Sequence, residues 1–525
     1  MDDLSGGRLP VIYVRGYAGG PSGISAAVDD PFYGFNEGSV QVRVDDTDRP
    51  AFHQFESPLL RLMIDHGYQL LVQGNQRGYL DQRDDGTIDA ASIWVHRFYD
   101  EFAPQLTRDP NPFSIERAAQ SLFDLIRLVR RKTGAPRVFL VAHSMGGLVV
   151  RAMLQKTIPD ATDGRPDAAT DFVDRVFTYA TPHGGIEFSM GFGALEKLRD
   201  LTGVAGADIF GPDRMYRYLT PQASALATVP KGWDATAMPA DGFPADRIFC
   251  LVGTNSSDYA AALGLASRAV GARSDGLVQV ENAYVKGAPR ALVHRSHSGR
   301  FGIVNSEEGY QNLQRFLFGD VEVRAQLTDI HLPGTEQDDT VWQLEAALSI
   351  RGLPVVLHEQ STAHLCPIQI ERPKTADAAA TPVPLVRTFL STRATRPTAR
   401  GSAREVTTMR HVLQLRLLSL RKQGGLLSFL DHLEQTADWS DVLVVDIEFP
   451  QDGTPPRSWA VWSSSLGTAI RDWVPDTATD EELQDVDTAT GSWLARIQLP
   501  VAARELLGAS AAVTVAVSGR APLPA

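Results

Sequence analysis

From residue 9 to about 320, short apolar runs rich in β-branched residues alternate with longer stretches whose apolar side chains recur every three or four positions. The runs are Val11–Val14, 68–72, 138–142, 175–179, 247–252 and 291–293. Between them, residues 113–132 place Leu122, Leu125, Ile126 and Val129 on one helical face, and residues 301–318 place Val304, Tyr310, Leu313, Phe316 and Leu317 on another. Strand–helix–strand alternation predicts an α/β fold with a mostly parallel central sheet covered on both sides. After Gly319 and Asp320 the period shortens to two. Runs at 321–332, 341–351, 365–371, 385–391, 411–421, 442–449, 459–463, 493–499 and 513–517 read as strands, and 373–384 and 392–404 as exposed loops. Many strands and little helix predict a C-terminal all-β sandwich domain over 321–525, behind a first domain over 1–320.

No core strand is evident between 186 and 246. This stretch carries Phe188, Met190, Phe192, Leu195, Leu198, Leu201, Ile209 and Phe210, so it reads as a cap insertion with an apolar inner side suited to acyl chains. The plainer reading is that it completes the core.

Composition narrows the function. A chain of 525 residues with 43% hydrophobic and 22% charged residues can build large cores. A formal charge of −13 argues against nucleic acid as a partner and gives no general attraction to anionic membranes. Only two cysteines, Cys250 and Cys366, are present, which excludes a disulfide framework and a Cys-rich metal site. No apolar run approaches the roughly 18 residues that span a bilayer, and the acidic N-terminus lacks a signal-peptide pattern. A cytoplasmic location is the expectation.

The chemistry concentrates at V-F-L-V-A-H-S-M-G-G, residues 138–147. A buried strand ends, turns on Ser144 and enters a helix, with small residues, Ala142 and Gly146, two before and two after the serine. A serine held in so sharp a turn is exposed for attack, and the helix N-terminus behind it favours developing negative charge. The inert alternative is an ordinary strand–turn–helix join. A serine hydroxyl needs a base, for which histidine has the matching pKa, and the imidazole needs a carboxylate to orient it. In a sheet of this kind the order along the chain is serine, acid, histidine. Asp275, in a tight Asp-Gly turn, is the expected acid, with Asp258 as rival. His297, just past the last strand, is the expected base, with His294 as rival, because a base on a loop at a strand's C-terminal end reaches the serine more readily than one inside the strand. The glycine-rich turn after the first strand, R-G-Y-A-G-G at 15–20, can present backbone N–H groups. Tyr17 and Met145 are the expected oxyanion donors. Gly16, His143 and His183 are candidates to line the substrate pocket, His143 without a chemical role of its own. A turn-stabilising role for His183 is an equal alternative.

These segments together, V-R-G-Y-A-G at 14–19, A-H-S-M-G-G at 142–147, T-P-H-G-G at 181–185, S-D-G-L-V at 274–278 and S-H-S-G at 296–299, resemble a bacterial lipase/esterase of the α/β-hydrolase superfamily. The resemblance covers about the first 320 residues. It implies the α/β-hydrolase fold, Ser144, Asp275 and His297 as triad, and an acyl ester or lipid as substrate. Ala142 stands where the first glycine of the motif is usual, and Arg15 where His-Gly is usual. The same triad also suits a phospholipase or an acyltransferase. A reading of another class is a lipid-surface or partner-binding protein with a vestigial hydrolase domain and a peripheral membrane contact. The chemistry requires no organic cofactor and no metal ion, and no acidic cluster points to structural calcium.

Overall fold

The computed structural model describes residues 8–16, 35, 38–44, 50–71, 75–96, 114–186, 208–223, 227–257, 272–299, 301–333, 340–351, 353–371, 381–392, 408–421, 437–449, 456–476, 479–486 and 492–520. Two compact units are formed. One holds chiefly Met1–Arg290 and His294–Leu317, the other chiefly Phe318–Ala521.

The first unit carries the α/β-hydrolase architecture. Strands β1 (Val11–Val14), β4 (Gln69–Leu70), β5 (Ser92–His96), β6 (Val138–His143), β7 (Val173–Tyr179), β8 (Ile248–Gly253) and β9 (Arg290–Val293) form one sheet in the order β4-β5-β1-β6-β7-β8-β9. The pairings from β4 through β8 are parallel. Strands β2 (Ser39–Val44) and β3 (Pro50–Phe55) form a separate antiparallel pair.

Because side chains alternate along a strand, each central strand serves two cores. Ile12, Leu140, Ala142, Val176 and Cys250 join a cluster with Leu122, Ile126, Leu148 and Val149 of the helices Ile115–Thr133 and Met145–Ala152. The intervening Phe177 and Phe249 stack with ring centroids 5.0 Å apart, and both meet Phe316 of the closing helix Glu307–Phe318. Each such apolar side chain fully buried is worth about 1.5–3 kcal/mol.

Local signals set the helix ends. Ser114 accepts from the Arg117 N–H and Gly134, at φ 71°, ends the long helix. The closing helix starts later than the apolar spacing predicts, at Glu307 rather than 301. The Ser306 hydroxyl accepts from the Gly309 N–H at 3.1 Å and fixes the start there.

The described part of 186–246 contains the helix Pro212–Leu219 and the turn Asp208–Phe210. Ile209, Met215, Tyr218, Leu219 and Phe243 belong to the main core cluster, and Phe210 packs against it. In this part the apolar side chains therefore complete the core. Phe188, Met190, Phe192, Leu195, Leu198 and Leu201 lie outside the described residues.

The second unit is antiparallel throughout its two sheets. β14 (Val383–Leu390), β10 (Val321–Thr328), β19 (Ala512–Gly519) and β18 (Trp493–Gln498) form one. β12 (Val356–Gln360), β11 (Thr340–Ile350), β15 (Thr408–Arg421), β16 (Trp439–Glu448) and β17 (Arg457–Trp462) form the other, with β13 (Ile368–Ile370) also on β11. Val323, Val515 and Trp493 of the first sheet share a single buried cluster with Leu344, Leu415 and Leu443 of the second, the arrangement of a sandwich.

Candidate active site

Strand β6 passes directly into its helix through Ser144, which adopts φ 53° and ψ −129°. A non-glycine residue held there stores strain of about 1–3 kcal/mol. Its neighbours hold it in place. The Ser144 N–H donates to the Tyr179 carbonyl at 2.9 Å, and the Ser144 carbonyl accepts from the Gly147 N–H at 3.0 Å. The need for a small residue at 146 has a concrete origin. A Cβ on Gly146 would stand 2.4 Å from the carbonyl oxygens of both Val14 and Arg15. The close approach of β1 to the elbow therefore depends on glycine there. The Ser144 hydroxyl makes no capping bond to the helix it precedes. It faces His297 instead, with Oγ 2.9 Å from Nε2.

His297 lies on the loop after β9, and Asp275 on the turn after β8. The imidazole Nδ1–H donates to Asp275 Oδ2 at 2.9 Å, and the His297 backbone N–H donates to the Asp275 carbonyl at 2.9 Å. The other carboxylate oxygen, Oδ1, accepts from the N–H groups of Leu277 at 3.0 Å and Val278 at 2.8 Å. Asp275 is 1% exposed, so a charge there requires this set of partners. The three hydrogen bonds fix which oxygen faces the imidazole. Gly253, the last residue of β8, makes room for the turn: a Cβ would lie 2.6 Å from the Arg295 carbonyl oxygen and 2.8 Å from Asp275 Cβ.

Hydroxyl, imidazole and carboxylate thus form one hydrogen-bonded row, brought together from three strand ends at one edge of the sheet. His294 is exposed, and its Nδ1 is 3.4 Å from the Thr254 hydroxyl. The structure brings His297, not His294, to the serine. Asp258 lies outside the described residues.

Of the expected oxyanion donors, Met145 is the first residue of the elbow helix, next to Ser144. Tyr17 lies outside the described residues. Gly16 abuts the site, since a Cβ on it would be 3.1 Å from Ser144 Cβ and 3.0 Å from His143 Nδ1.

His183 is fully buried, with Nε2 3.1 Å from the Thr178 hydroxyl and 3.6 Å from Cys250 Sγ. Burial holds its pKa well below the ordinary imidazole value. Its place is the packed turn after β7. His143 is likewise buried, its pKa pushed down to about 3, chiefly by burial.

One residue with no signal in the sequence is Arg151, on the elbow helix. Its guanidinium is 1% exposed and donates to Gln155 Oε1 at 2.9 Å and to the carbonyls of His183 at 2.9 Å, Ala235 at 2.7 Å and Ala237 at 3.1 Å. It ties the elbow helix to the turn after β7 and to the segment around 235. A helical arginine in an apolar stretch gives no hint of such carbonyl partners, which come from residues far along the chain.

Among the described residues, no group of three or more His, Cys, Asp or Glu side chains is placed to hold a metal ion, and no helix is long and apolar enough to cross a membrane.

Compared with known proteins, the chain matches no family model and no curated protein. Among solved structures, the lin2722 gene product of Listeria innocua overlaps 59% of this chain and 94% of its own at 10% identity, with a TM-score of 0.26. Aspergillus fumigatus lipase B overlaps 59% of this chain at 10% identity, with a TM-score of 0.26, and the overlap spans 52% of the lipase. At these scores no residue of the present chain takes a role from either protein.

Proposed function

We propose that the chain is a serine-dependent carboxylic ester hydrolase of the lipase/esterase kind. The observation that carries this reading is the row Ser144 Oγ–His297 Nε2 at 2.9 Å and His297 Nδ1–Asp275 Oδ2 at 2.9 Å. Ser144 attacks the ester carbonyl as His297 accepts its proton. Asp275 keeps the imidazole in the tautomer whose Nε2 is unprotonated, and stabilises the imidazolium that forms. The backbone N–H groups of Met145 and Tyr17 hold the oxyanion. His297 then protonates the leaving alcohol, and the acyl group remains on Ser144. In the second half, His297 activates water, which attacks the acyl-enzyme and releases the acid. An apolar acyl chain suits the aliphatic and aromatic composition of residues 188–201.

Labelling by a fluorophosphonate, which forms a bond to an activated serine, tests the reading. Expected is stoichiometric labelling at Ser144, abolished in Ser144→Ala, with loss of hydrolysis across an ester series from short to long acyl chains. Absence of labelling in the folded wild type refutes it and favours a binding protein. Transfer to an added alcohol in place of acid release would reassign the reaction as acyl transfer.

A further inference from the structure

The base is held by more than its carboxylate. His143, the last residue of β6 and the direct neighbour of Ser144, lies with its ring centroid 5.1 Å from that of His297, the rings tilted by 41°. Its Nε2 is 3.0 Å from the His297 carbonyl oxygen. A carbonyl oxygen can only accept, so Nε2 carries the hydrogen and Nδ1 is left as a lone pair. Nδ1 has no hydrogen-bond partner among the described residues and sits against Gly16, the glycine beside Ser144 Cβ. The ring is 2% exposed.

We infer that His143 is a positioning residue for the proposed reaction, its Nε2–H clamping the backbone of the base loop to the strand that carries the nucleophile. This rests on the reading of Ser144 and His297 as nucleophile and base. The backbone of His297 is gripped on both sides: its N–H donates to the Asp275 carbonyl, and its carbonyl accepts from His143. Without the second grip, the loop keeps its bonds at Arg295, Ser296 and the His297 N–H but loses its tie to the strand that carries Ser144, and the separation of Nε2 from Ser144 Oγ can lengthen. A displacement of about 1 Å between reacting groups costs on the order of 100-fold in rate.

The test compares His143→Phe, which keeps a ring but has no donor, with His143→Gln, whose amide nitrogen stands the same number of bonds from Cβ as imidazole Nε2. His143→Met serves as a second donor-free variant that tolerates repacking if the phenylalanine protein does not fold. The readout is the rate constant of fluorophosphonate labelling at Ser144 and the kcat and KM of a soluble ester, each normalised to the fraction of sites finally labelled. Expected for the donor-free variants is a loss of about 10- to 100-fold in labelling rate and kcat with KM within about threefold, and for His143→Gln recovery to within about threefold of wild type. Wild-type rates in the donor-free variants, or a glutamine variant as slow as they are, overturn the inference while leaving the hydrolase reading intact. Failure of the wild type to label removes both.

Discussion

Asp275→Asn tests the orientation of the base most sharply, because the carboxylate's two oxygens have separate tasks. Oδ1 accepts from the backbone N–H groups of Leu277 and Val278, and Oδ2 accepts from His297 Nδ1. In the amide, only oxygen can face the two N–H donors, so the NH2 group must face the imidazole. Nδ1 then becomes an acceptor, the hydrogen moves to Nε2, and the ring can no longer take the Ser144 proton. A base held in the wrong tautomer at intact geometry costs about 10⁴-fold in kcat. At about 1.4 kcal/mol per decade this is about 5 kcal/mol of transition-state stabilisation. The two backbone N–H groups keep their acceptor, so folding stability should change by no more than about 1–2 kcal/mol. Steady-state hydrolysis of a soluble short-chain ester, with thermal unfolding on the same samples, measures both. A folded Asp275→Asn protein within tenfold of wild-type kcat, alongside a large loss in Asp258→Asn, would refute the assignment.

Three further outcomes follow from the packing. Gly146→Ala sets a Cβ 2.4 Å from two backbone carbonyl oxygens of the first strand and its continuation. It should destabilise by about 1–3 kcal/mol and disturb the elbow, read as a lower melting temperature with a falling labelling rate. Arg151→Met strips the donor from the carbonyls of His183, Ala235 and Ala237. A loss of about 3 kcal/mol, seen as a lower urea midpoint, is expected, and an unchanged midpoint would contradict a structural role for this guanidinium. His96, fully buried with Nε2 3.2 Å from the Ala118 carbonyl oxygen, has its pKa pushed down to about 3, mainly by burial, from an ordinary 6.5. The unfolded chain therefore binds the extra proton first. Its contribution is fully present above pH 6.5 and is lost as pH falls toward 3, at about 1.4 kcal/mol per pH unit. Urea titrations from pH 7 to 4 should show this slope reduced by that amount in His96→Gln. Identical slopes would mean that His96 is protonated in the native state.

Local chemistry along the chain determined a good deal. The strand–serine–helix join at 138–147 is written in its own residues: apolar β-formers, then small residues two before and two after Ser144, then a helix. The two-residue period after 320 likewise announces antiparallel strands, because alternation is the condition for one buried and one solvated face. Short elements were not legible. β5, residues S-I-W-V-H, is only five long and follows a polar loop, and β4 shrinks to Gln69 and Leu70, since pairing with a neighbouring strand decides its extent. The hairpin of β2 and β3 and the strand Val356–Gln360 also escape a reading by period.

What tertiary structure alone decided is which distant groups meet. Asp275 over Asp258 and His297 over His294 were choices of topology that the sequence could rank; the row of hydrogen bonds exists because the ends of β6, β8 and β9 lie along one edge of the sheet. The grip of His143 on the His297 carbonyl and the carbonyl cage around Arg151 have no sequence signature at all. Their partners are backbone oxygens, which every residue possesses, so side-chain identity carries no record of them and only the folded chain places them within reach.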